Sequence, residues 1–174
     1  MKNILHVAYP DKFTIPLSHF IEMNDECNNH KFLFISDKNK VTKSNAVYSF
    51  KTPTSRYLLV NLALFFRLCF KADVIIMHRD APMVLFKIFP WFLKKMAWAI
   101  NGAELYNIVI GKKSKRFDNY VFKSAKIHLT HIEGDSILAN EIIRSNAKFH
   151  YTPIYPSNTV TTNDFFPVLL PNKV

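Results

Sequence analysis

A chain of 174 residues, 49% of them hydrophobic and 16 of them phenylalanine, has enough apolar bulk for one domain with a real core, which excludes a disordered protein. Its charge is one-sided: 23 lysines and arginines against 13 acidic residues give a formal +10, which points to an anionic partner such as nucleic acid, an acidic membrane surface or a phosphorylated substrate. Cys27 and Cys69 lie far apart with no CxxC or zinc-type spacing, so they read as reduced thiols, Cys69 inside an apolar helix.

The N-terminus, MKNILHVAYPDKF, lacks the long apolar region and small-residue cleavage site of a secretory signal and reads as a first strand, NILHVA (3–8). A helical pattern over 14–24 follows, then the strands KFLFIS (31–36) and AVYSF (46–50). Thr54 or Ser55 can open a helix over 55–71. DVIIMH (73–78) is nearly all apolar, as a central strand covered on both faces should be. Beyond it come a helix over 81–89, the strand MAWAI (96–100), a helix over 113–124 and the strand KIHLT (126–130). Asp135 or Ser136 can cap a helix over 135–145 with Ile137, Leu138, Ile142 and Ile143 on one face. The last strand is KFHYTPI (148–154). Strands separated by helices predict an α/β fold, a Rossmann-like, mostly parallel sheet with helices on both faces, over residues 1–158. The stretch PIYPSNTV takes the chain out of the sheet, and 159–174 reads as a linker or the start of a further domain. Tyr57–Phe70 is too short to span a bilayer and is interrupted by Asn61 and Arg67. Ala81–Ile100 is long enough but contains Lys87, Pro90, Lys94 and Lys95, so neither stretch reads as a transmembrane helix.

In open α/β sheets, ligands bind outside the carboxyl ends of the strands. Four charged loops fall there: Tyr9-Pro10-Asp11-Lys12, Arg79-Asp80, Asn101 to Tyr106, and Glu133-Gly134-Asp135. Asn101-Gly102 after a strand permits a tight turn with positive φ, which would bring Glu104 and Tyr106 to the rim; the alternative is an ordinary turn with Leu105 and Tyr106 packed down. The chain has three scattered glycines (Gly102, Gly111, Gly134) and neither GxGxxG nor a P-loop, so no nucleotide cofactor is expected. His128 and His131 stand three apart on a strand and point to opposite faces, so no metal is expected.

Several segments together resemble the bacterial TDP-N-acetylfucosamine:lipid II N-acetylfucosaminyltransferases. Trp98, Gly102, Ala103, Glu104, Leu105 and Tyr106 of WAINGAELY match that family's motif, in which Asn101 replaces a second tryptophan. The start ILHVAYPDKF supplies His6, Asp11 and Phe13, IMHRDAP supplies His78 and Pro82, and IEGDSILANEIIRSNAKFHYTPIYPSN completes a similarity running from about residue 3 to Asn158. The resemblance implies the N-terminal, acceptor-side domain of a GT-B glycosyltransferase, without the second domain that would hold the nucleotide-sugar. It further implies transfer of a sugar from a TDP-sugar to a polyprenyl-diphosphate-linked glycan acceptor, in enterobacterial common antigen or O-antigen synthesis, at the cytoplasmic face of the inner membrane.

An inverting transfer needs a base for the acceptor hydroxyl. Asp11, Glu104 and Asp135 are the candidates, in that order; Asp11 and Asp135 have helix starts as their alternative roles. Tyr9, Lys12, His78, Arg79, Gly102, Tyr106, Lys112 and Asp135 would meet the acceptor, the basic ones at its diphosphate. FKIFPWFLKKMAW mixes aromatics with lysines and has no acid, which suits the headgroup boundary; Lys87, Trp91, Phe92, Lys94 and Lys95 would touch the membrane. GKKSKRFDNYVFKSAK adds a second basic cluster. The bland alternatives are a core helix with snorkelling lysines and a solvated helix face. The rival functions are a basic nucleic-acid-binding module, for which no helix-turn-helix, RRM or zinc pattern is present, and a folded but inactive remnant.

Overall fold

Seven short apolar runs become strands, and every neighbouring pair is parallel. In the computed structural model of the chain, residues 1–35, 47–50, 58–78, 83–100, 102–110, 120, 123–144 and 147–152 are described. The strands are β1 (Asn3–Ala8), β2 (Asn29–Ile35), β3 (Val47–Phe50), β4 (Val74–His78), β5 (Met96–Ala99), β6 (Ile127–Thr130) and β7 (Lys148–Tyr151). They form one sheet in the order β3-β2-β1-β4-β5-β6-β7. The chain runs outward from β1 to β3, returns to lay β4 against the other side of β1, and then proceeds outward again. The order therefore reverses between β1 and β4, the hallmark of a Rossmann-like sheet and the place where such sheets open a crevice at their carboxyl edge. The α/β reading of the sequence holds.

Alternation along the strands sorts two cores. Leu5 and Val7 of β1, Leu33 and Ile35 of β2, Ile75 and Met77 of β4 and Trp98 of β5 line one face. They are covered by Phe65, Leu68 and Cys69 of α2 (Leu58–Lys71), Phe86 of α3 (Met83–Ile88), and Phe92 and Leu93 of a 3-10 turn (Pro90–Lys95). Leu105 of α4 (Gly102–Val109) and Leu138 of α5 (Glu133–Leu138) join the same core. On the other face Ala8, Phe32 and Phe34 lie under Ile15 and Ile21 of α1 (Thr14–Asn24). Helices thus cover both faces, and the phenylalanines concentrate on the first: Phe65 meets Phe86 and Phe92 edge-on with centroids 5.6 and 6.3 Å apart. Cys27 is exposed and Cys69 buried, both as free thiols, and burial pushes the Cys69 thiol up to about 12.

Several local expectations change. Phe92, expected at the membrane, is 1% exposed, because its ring fills the gap between α2 and the sheet; Phe86 is buried for the same reason. Pro90, with its φ already near helical values, opens a 3-10 turn where no element was expected. Gly102 begins α4 instead of forming a tight turn, so Leu105 packs inward at 1% exposure while Tyr106 stands out at 58%. The helix expected to start at Asp135 or Ser136 starts two residues earlier, at Glu133, with Ile132 at its cap position and no side-chain cap. Asp135 is instead buried inside the first turn, accepting a hydrogen bond from Thr130 Oγ1 at 3.4 Å. That helix continues through one π turn (Ala139–Ile143) to Arg144, which takes a left-handed φ of 53°. The expected helix over 113–124, the Thr54 or Ser55 helix start and the segment 159–174 lie outside the described residues. Among the described residues no helix is long and apolar enough to cross a membrane.

Candidate functional site

The loop leaving β1 is built around one carboxylate. Asp11 Oδ1 accepts hydrogen bonds from the backbone amides of Phe13 (2.9 Å) and Thr14 (2.8 Å), two of the amides that the start of α1 leaves without helical partners. Thr14 returns the favour: its hydroxyl accepts from the Asp11 amide at 3.1 Å and lies 2.6 Å from the Tyr9 carbonyl and 3.0 Å from Asp11 Oδ1. This reciprocal box fixes the loop and makes Asp11 the cap of α1. Replacing Asp11 with Ala should therefore cost about 1 kcal/mol of stability, while Asp11→Asn, which still accepts at its oxygen, should cost far less. Equal urea midpoints for the two variants would remove the cap. Tyr9 is 40% exposed beside this loop, and the Lys12 ammonium sits 5.0 Å from the Phe13 ring centroid.

His78 closes β4 next door, one residue beyond the Val7–Met77 pair, so it stands at the same β1/β4 carboxyl edge as the Asp11 loop. Its imidazole is not alone. His78 Nε2 lies 3.0 Å from His6 Nδ1, His6 Nε2 lies 2.9 Å from His30 Nδ1, and His30 Nε2 lies 2.8 Å from Asp25 Oδ2. Three rings from β1, β2 and β4 and one carboxylate from the α1–β2 turn thus form an unbroken row across the sheet, on the α1 face. Phe32 stacks on His6 with centroids 4.2 Å apart and planes 10° from parallel, which holds the middle ring.

The row grades from wet to dry. Side-chain exposure is 34% at Asp25 and 11% at His30, whereas His6 and His78 are each 3% exposed. Burial pushes His6 well below its ordinary value, with the neighbouring His78 and His30 acting in the same direction. Burial also lowers His78, to about 4, while the Asp11 charge pulls the other way. The hydrogen bond from His30, followed by that from Asn28, holds the Asp25 carboxyl down at about 2. Sequence reasoning placed His6 and His78 on their strands but did not connect them, and it missed His30 and Asp25. The available signal was a polar residue in each of three apolar strands; the link among them is tertiary.

The other expected residues are distributed along the same edge. β1, β4, β5 and β6 are neighbouring parallel strands, so their carboxyl ends line one rim. Strand spacing puts the β6 end about 14 Å from the β1 end, so Asp135, at 2% exposure, joins neither Asp11 nor His78. Glu104 lies in the first turn of α4, after β5; nothing further of its side chain or of Gly102 is described. Arg79 and Lys112 lie outside the described residues. His128 is fully buried on the other face, edge-on to Trp98 and Phe149, and His131 is exposed. On the helical flank Trp91 is 49% exposed beside exposed Lys87 and Lys94. Lys95 is half-buried and committed elsewhere: its ammonium donates to the Ala72 carbonyl at 2.8 Å, just past the end of α2. Compared with protein-family models and with curated proteins, the chain matches none.

Proposed function

We propose that this chain is the acceptor-facing unit of a glycosyltransferase, taking a polyprenyl-diphosphate-linked glycan at the β1/β4 crevice for transfer of an N-acetylfucosaminyl or related sugar from a TDP-sugar. The observation that carries the reading is the reversal of strand order between β1 and β4, where Tyr9, Asp11, Lys12 and His78 stand at adjacent strand ends. A sugar acceptor presents hydroxyls and a diphosphate, and this rim offers hydrogen-bonding side chains and the Lys12 ammonium. The family resemblance of the β1 loop and of the Trp98–Tyr106 segment supplies the chemistry of the substrate. Donor-nucleotide contacts would come mostly from a second domain, since the chain has no glycine-rich phosphate turn. Asp11, as the cap of α1, positions the loop; Glu104 remains a candidate base from α4.

The lipid tail of such an acceptor requires the protein to rest on the cytoplasmic face of the inner membrane. Exposed Trp91, Ile88 and Phe70 next to Lys87 and Lys94 support that posture, with aromatic edges at the headgroup boundary and ammonium groups at lipid phosphates. Each such lysine is worth about 1 kcal/mol near an anionic surface. The double variant Trp91→Ala, Lys94→Gln should accordingly bind phosphatidylglycerol vesicles about tenfold more weakly or worse; sedimentation showing undiminished binding would rule out this flank.

The deciding experiment compares binding to phosphatidylglycerol vesicles with and without the glycan lipid. We expect saturable binding that the glycan lipid strengthens by tenfold or more and that Asp11→Ala weakens. Indifference to the glycan lipid, or preference for DNA over both vesicles, would overturn the reading in favour of a basic nucleic-acid or inactive module.

A further inference from the structure

Protons along a row of hydrogen-bonded imidazoles are not independent. A neutral imidazole has one N–H and one lone pair, and both nitrogens of His30 and of His6 are used within the row. At one end the ionised Asp25 carboxylate can only accept, so His30 donates from Nε2 and accepts at Nδ1. His6 must then donate from Nε2 and accept at Nδ1, and His78 must donate from Nε2. The carboxylate at the far end thereby leaves the lone pair on His78 Nδ1. That atom is buried and has no hydrogen-bond partner among the described residues. The geometry of the ring directs it away from His6. An enclosed acceptor without a donor is unfavourable, so the position is one that a ligand's O–H would relieve.

With one proton added, the row has a hydrogen-bonded arrangement that leaves both dry rings neutral. A proton arriving at His78 Nδ1 lets the Nε2 proton of His78 pass to His6 Nδ1, and the Nε2 proton of His6 pass to His30 Nδ1. His30 is then protonated on both nitrogens, while His6 and His78 are neutral with their protons on Nδ1. One O–H bond of the donor breaks, three Nδ1–H bonds form and two Nε2–H bonds break, with one positive charge gained. The charge comes to rest not on the two dry rings but beside the Asp25 carboxylate, at the wetter end.

We propose that Asp25, His30, His6 and His78 form a single proton line, in which His78 Nδ1 is the catalytic base that meets the acceptor hydroxyl and the positive charge settles on His30. The identity of the hydroxyl rests on the glycosyltransferase reading above; the line itself rests on the row of contacts. Asp25, His30 and His6 are positioning residues. Besides the members of the row, Asp11 is the charge that acts on His78, and Glu22 and Lys31 line the cavity beside Asp25 and His30. Glu104 is relieved of the base role on this assignment.

Ring-nitrogen NMR of the full chain with labelled histidine tests it without any sugar. From about pH 9 to about pH 5, His78 should exchange tautomers, Nε2–H to Nδ1–H, while the ring stays neutral. His78 turning into imidazolium in that range, or carrying its proton on Nδ1 throughout, would overturn the line. In Asp25→Asn the amide can accept or donate, so at alkaline pH both His78 nitrogens should show intermediate, averaged signals; an unshifted His78 would show that Asp25 does not set the direction. Should that variant fold poorly, the wild-type exchange still decides. Glycan-lipid vesicles should then perturb the His78 Nδ1 signal. Exchange without that perturbation would sink the sugar reading and leave the line standing.

Discussion

Lowering the pH from 6.5 to 4 should strip about 3 kcal/mol of folding free energy from this protein through His78 alone. The folded-state value of His78 is depressed to about 4 from an ordinary 6.5, chiefly by burial. Below 6.5 the unfolded chain binds a proton at this residue that the folded chain refuses. The stabilisation is therefore fully present above 6.5 and is lost as the pH falls toward 4. His6 is shifted in the same direction and steepens the loss. Asp25 contributes with its own sign: its lowered value gives stability present above 3.8 and lost only below it, under this window. Urea unfolding at several pH values would show the slope. In His78→Gln, which can still donate an amide N–H to His6, the slope should be shallower by roughly the His78 share. A flat profile in the wild type would mean that these rings are hydrated and that the row is not a buried one.

Truncating Phe65 to alanine should cost about 3–5 kcal/mol, a large part of the 5–15 kcal/mol that typically holds a domain together. Phe65 is fully buried, and its ring meets Phe66, Phe86 and Phe92, so its loss opens a cavity where α2, α3, the 3-10 turn and the sheet converge. Phe86 and Phe92 sit on short elements tied to the rest of the core, which limits how far they can close the gap. Phe70, on the same helix but 63% exposed, is the control, and Phe70→Ala should cost less than about 1 kcal/mol. Denaturant midpoints measure both; comparable losses would place the core elsewhere.

Local pattern along the chain was enough to locate the strands, the class of the fold and the edge where the loops gather. NILHVA became β1 with the same bounds, the 14–24 helix likewise, and DVIIMH became a strand paired on both sides, because local periodicity and apolar runs record burial directly. A mostly parallel sheet also follows from the helices that separate most of the strands, since a parallel return needs a crossover. Which side chains meet depends instead on long-range packing. Phe92 and Trp91 are adjacent, yet one is buried and the other half out, because a 3-10 turn begun by Pro90 aims them differently. Gly102 reads locally as a turn, but the packing of Leu105 against Trp98's core carries a helix from that point. Asp11 shows its cap only once α1 is in place. The row from Asp25 to His78 spans residues 25, 30, 6 and 78, out of chain order, from one turn and three strands. It comes together because parallel neighbours in the order β2-β1-β4 bring same-face residues within hydrogen-bonding reach, and no pattern along a single segment encodes that order.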